Sequence, residues 1–127
     1  MTKRPGSVAE VSRVATDWRG FHYALLDFLD QFAIQKRMDM LVEEPSRLTA
    51  TFREGEVADA YLAAVAVALA RTISSAPPAW AWQEDRKLRR PWFAHTGAAL
   101  RATLIAESPA PFRERNLFVS ANALTRA

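Results

Sequence analysis

The 127-residue chain contains no cysteine, which excludes disulfides and thiolate metal sites. Its four glycines leave little material for a phosphate-binding loop, and no such glycine-rich pattern occurs. There is no HExxH pair, no paired metal-ligand carboxylates and no GxSxG elbow, so the usual starting points for metal-assisted or serine hydrolysis are missing. The longest uncharged apolar run, Ala60 to Ala70, falls well short of the ~20 residues that cross a bilayer. The opening Met1-Thr-Lys-Arg-Pro-Gly6 lacks the apolar core of a signal peptide. These absences predict a soluble, cytoplasmic protein with no membrane contact, no metal and no cofactor.

What is present suits one domain over 1–127: half the residues are hydrophobic, and the length is enough to bury a sizeable core. The net charge of +3 is unevenly spread. Residues 1–79 hold 9 basic and 10 acidic side chains, whereas 80–127 hold 8 and 4. A basic C-terminal third points toward an anionic partner without demanding one.

The periodicity is helical throughout. Ser7-Val-Ala-Glu10 reads as a capping box, with 1–6 disordered ahead of it. Val8, Val11, Ala15, Trp18, His22, Leu25, Leu29 and Phe32 then recur at spacings of three and four. They predict one long helix to about Val42, ended by Pro45. On it, His22 has no ligand-type neighbour one turn away and reads as a core or boundary residue. A second helix is predicted from Gly55 to about Ser74. It is apolar nearly all round, which marks either a buried central helix or one covered by a second subunit, and hence a homodimer. Pro77-Pro78 stops it. A third helix fits 97–107, with Thr96 as a cap and Leu100 and Leu104 inward, and Ser120 is placed to cap a last one to Ala127. The fold class predicted is all-α: a bundle of three main helices with short C-terminal helical segments, a 76–95 connector, and a 108–127 tail packed on the bundle.

The connector concentrates the chemistry. Trp80, Trp82 and Trp92 stand among Arg86, Lys87, Arg89 and Arg90. Indole faces that stack on bases, beside cations that hold phosphates, make a single-stranded nucleic-acid surface. The same residues also make a structural clip, with rings filling grooves between helices and guanidinium groups covering them. The clip is the first reading, because Glu84 and Asp85 weaken the field for phosphate. Arg113 and Arg115 form a second basic pair, read either as a phosphate or carboxylate grip or as a solvated loop.

Two resemblances carry functional implications. Arg90-Pro-Trp-Phe-Ala-His95 resembles the Arg-x4-His signature of HEPN ribonucleases, which implies Arg90 and His95 as a low-specificity catalytic pair working by general acid–base chemistry. Pro91 departs from that pattern, which favours a polar residue on a helix. Further on, Pro78-Ala-Trp80, Pro91-Trp-Phe93 and above all Ala106 to Ala127 (AESPAPFRERNLFVSANALTRA) look like a family of small helical bacterial proteins. Members are associated with toxin–antitoxin or phage-defence gene pairs, beside nucleotidyltransferase-like or DNA-binding partners. That resemblance implies a non-catalytic, antitoxin-like interaction module that restrains a partner protein from a neighbouring gene. The alternatives are nucleic-acid binding through the Trp/Arg segment and a HEPN-like ribonuclease.

Overall fold

Ser7 opens the first helix as the capping pattern requires. In the computed structural model, which describes residues 4–125, the Ser7 hydroxyl accepts from the Glu10 amide at 3.1 Å. The Glu10 carboxylate reaches back to the Gly6 amide at 2.8 Å. Residues 1–3 of the expected loose end lie outside the described residues, and Pro5 is already buried.

The long first helix is not continuous. Helix α1 (Val8–Val14) stops where Ala15 turns extended, and α2 (Trp18–Gln35) starts afresh with Asp17 as its N-cap, accepting from the Gly20 amide at 2.6 Å. Asp17 supplies a better helix start than the periodicity supplies a reason to continue. The break resets the helical phase, so Val14 (59% exposed) and His22 leave the buried face on which even spacing put them. Lys36 ends α2 in the left-handed conformation, and a single turn, α3 (Asp39–Val42), follows.

Helix α4 (Gly55–Thr72) is the centre of the molecule, and Ala60 to Ala70 is buried without interruption. Small side chains let neighbouring backbones approach, and α2, the connector, α6 and the C-terminal strand all lie against it. The chain itself therefore covers the helix that suggested a subunit interface. Gly55 marks the tightest approach: a Cβ there would lie 1.7 Å from the Leu48 carbonyl oxygen. Nearby, the buried Asp59 carboxylate accepts from the Leu48 amide (2.7 Å) and from the Thr49 amide and hydroxyl (3.2 and 2.6 Å). Asp59 and Gly55 together fix a loop whose residues carry no regular pattern.

The rest is short. Two 3₁₀ turns, Ala79–Trp82 and Glu84–Arg86, lead to β1 (Trp92–Phe93), α5 (Ala98–Glu107), α6 (Ala110–Arg113) and β2 (Leu117–Phe118). The strands pair in parallel, Trp92 with Leu117 and Phe93 with Phe118, using α5 and α6 as the crossover that parallel pairing needs. Asn116 enters β2 with a positive φ of 62°, and its side-chain amide donates to the Leu88 carbonyl at 2.7 Å. The fold is thus predominantly helical, with one small strand pair that helical periodicity did not foresee. Gly97, not Thr96, sits at the N-cap of α5 and makes no side-chain cap. Beyond Ser120 the described chain forms turns instead of a helix, and residues 126–127 lie outside the description.

Candidate interaction surface

The connector is anchored at three points. Trp80 is buried and donates its ring N–H to the Leu41 carbonyl at 3.0 Å. Arg86, 0% exposed, lies over the Trp80 ring at 4.9 Å and donates to the carbonyls of Asp59 (3.2 Å) and Pro45 (2.7 Å). Trp92 meets Trp18 edge-on at 5.6 Å, extending an aromatic cluster that runs through Tyr61 to Phe112. Arg115, also 0% exposed, repeats the Arg86 device from the C-terminal side. It lies 5.2 Å from the Trp82 ring and donates to the Pro111 and Ala81 carbonyls, each at 2.8 Å. Burial first of all pulls both guanidinium pKa values down, opposed by the carboxylates of Asp59 and Glu44 at Arg86 and of Glu114 at Arg115.

This geometry changes the electrostatics read from composition. Of the eight basic residues in 80–127, Arg86 and Arg115 are inside the protein, and Arg126 lies outside the described residues. The remaining five, Lys87, Arg89, Arg90, Arg101 and Arg113, share their surface with four carboxylates. Lys87 pairs with Glu84 at 3.5 Å, and Asp85 is taken by Arg47 at 3.0 Å. Only Trp82, at 43%, is an exposed tryptophan. Of the connector's three indoles, Trp80 is buried and Trp92 half-buried, so the stacking faces that a nucleic-acid track uses are few.

Arg90 and His95 are exposed on either side of β1, where the backbone is extended. The two residues therefore lie on the connector that flanks a two-residue strand, not on the helix that the signature favours. Among the described residues, no group of three His, Asp or Glu side chains is arranged to hold a metal ion, and no helix is long and apolar enough to cross a membrane. A cleft of about 950 Å³ lies between the 47–49 loop, the start of α4 and the connector. Its walls carry the Arg47–Asp85 and Lys87–Glu84 pairs together with Glu56, Arg89 and Glu114.

Helix α5 is different. Nine of its ten residues are exposed, and Leu104 alone is buried. Leu100, expected inward, is 51% exposed, as is Ile105. The helix is held at its ends: Arg101 lies over the Phe93 ring at 5.0 Å, Phe93 stacks on Phe118 at 5.0 Å, and Ser108 bonds to Leu104 and Val119. At about 100° per residue, Arg101 and Glu107 flank Leu104 on the side facing the body. Ala98, Ala99, Ala102 and Ala106 point away from it, with Ile105 and Thr103 beside them. A surface helix ordinarily turns its charges to water and its apolar stripe to the core; α5 turns an uncharged face outward. The sequence signal for this was the lack of any charge between Arg101 and Glu107, overlooked because Leu100 and Leu104 suggested an ordinary inward stripe.

Comparisons of the chain with protein families, with curated proteins and with solved structures give no match.

Proposed function

We propose that the protein is a non-catalytic interaction module and that α5 is the element it offers to a partner protein. One observation carries this reading: a ten-residue helix with a single buried side chain, whose outward face bears no charge. Exposed apolar surface of this kind, contiguous and rimmed by polar groups, is characteristic of protein–protein contacts. The residues proposed for chemistry favour the same reading, since Arg86 and Arg115 are committed to the core and Arg90 and His95 are separated by a strand. The likeness of 106–127 to proteins of toxin–antitoxin and phage-defence gene pairs supports the antitoxin-like form of this role, with restraint of a neighbouring gene's product as its outcome. Co-production with each neighbouring gene product, followed by size-exclusion chromatography, tests it. Co-elution as a stoichiometric complex is the expected result, and independent elution from every neighbour defeats the reading.

A further inference from the structure

We infer that α5 is received in a concave groove of the partner with an apolar floor, a carboxylate on the rim beside Arg101 and a cation on the rim beside Glu107. This rests on the interaction-module reading and specifies what the other side of the contact must look like.

The argument begins with shape. Ala94 to Gly97 and every residue of α5 but Leu104 are exposed, so the chain presents a ridge there, not a flat patch. The complement of a ridge is a trough. Area points the same way. A ten-residue helix is about 15 Å long and about 10 Å across, so one face offers only a few hundred Å², well below the roughly 800 Å² per partner of a stable complex. A second copy laid flat against α5 would bury too little to persist. A groove that also covers the two flanks and the 94–97 approach collects more surface from the same ridge, as grooves that take amphipathic helices do.

Chemistry then sets the lining. Alanines at 98, 99, 102 and 106 leave no long side chain to hold the groove floor away, and Ile105, half-exposed beside them, fills a pocket in its wall. The two charges lie on opposite flanks, Arg101 in the first half of the helix and Glu107 at its last residue. Opposite rim charges therefore admit α5 in one direction only.

The test uses the full chain co-produced with the neighbouring gene product that co-elutes with it. Ala102→Glu and Ala106→Glu keep helix propensity nearly unchanged at exposed sites, and circular dichroism checks that the fold is intact. Each is expected to weaken the complex at least about a hundredfold, and Arg101→Glu about tenfold, while Ala33→Glu on the exposed side of α2 leaves it unchanged. Undiminished binding by both alanine variants overturns the inference and leaves the module using another face. A homodimer of the isolated protein that Ala102→Glu dissociates also overturns it, because a second copy then covers the ridge. If no neighbour binds the wild-type chain, the module reading fails and this inference falls with it.

Discussion

The Arg86 guanidinium lies 4.9 Å over the ring of Trp80, and its terminal nitrogens reach main-chain carbonyls from two other segments, Pro45 and Asp59. One planar cation thus joins the connector, the loop before α4 and α4 itself. Charge is what makes the arrangement strong, and planarity is what lets it serve two acceptors and a ring together.

Arg86→Ala is therefore expected to cost about 3 kcal/mol or more, because two buried carbonyls lose their donors and a cavity opens beneath Trp80. Arg86→Lys is expected to recover little, since an ammonium cannot present the same fork. Urea unfolding measures both, and a loss below about 1 kcal/mol for the alanine variant contradicts the clip.

How much of this was legible in the sequence varies from element to element. α4 was readable because Glu56, the apolar run and Pro77-Pro78 all agree on where a buried helix begins and ends. The break at Ala15–Asp17 was not, because apolar spacing continues across it while a local cap intervenes. The β1–β2 pair joins residues about 25 positions apart over two residues each, too short for any period to register. Trp80 and Arg86 were readable as a clip in kind, but nothing in the connector indicates which arginines turn inward. That depends on carbonyls at Pro45, Asp59, Pro111 and Ala81, and every residue type carries a carbonyl. The exposure of α5 was hidden for a related reason: an apolar helix predicts burial, and only the surrounding fold shows that nothing covers it.

Gly55→Ala separates helix propensity from packing. Alanine favours a helix by about 1 kcal/mol over glycine. Here its Cβ would meet the Leu48 carbonyl oxygen at 1.7 Å, so backbone and not a flexible side chain must shift. A net destabilisation of at least about 2 kcal/mol is expected from thermal or urea unfolding, with the 46–53 loop displaced. A more stable variant would show that the loop does not rest on α4.

Alkaline titration tests the aromatic cluster. Burial raises the Tyr61 hydroxyl from its ordinary 10 to about 12. The folded state then keeps its proton where the unfolded chain has released it, so stability is intact below pH 10 and falls as pH rises from 10 toward 12. The slope in that window is about 1.4 kcal/mol per pH unit from this residue. Tyr61→Phe is expected to remove that component of the decline, and identical alkaline profiles for the two proteins would refute the burial.

Nucleic-acid binding has a direct readout. With two arginines internal and Lys87 paired, a labelled single-stranded oligonucleotide is expected to show no change in anisotropy at physiological salt. Binding that weakens with added salt, and whose salt slope flattens in Arg89→Ala with Arg90→Ala, would restore the connector as a nucleic-acid surface.

Ser108 is the joint on which α5 depends. Its buried hydroxyl lies 2.5 Å from the Leu104 carbonyl and 2.9 Å from that of Val119, and accepts from the Val119 amide at 2.8 Å. One proton serves the two carbonyls in turn, while the lone pairs hold the Val119 amide that follows β2. Ser108→Ala leaves that buried amide without its acceptor, at a cost of about 1–3 kcal/mol. Because Leu104 is the only buried residue of α5, the loss is expected to concentrate there. Hydrogen exchange of the 98–107 amides should quicken, while the amides of Ala60 to Ala70 slow or quicken only as far as global stability changes. A uniform change across both helices would mean that α5 is bound into the core as firmly as α4, and the ridge proposed for a partner would lose its independence from the body.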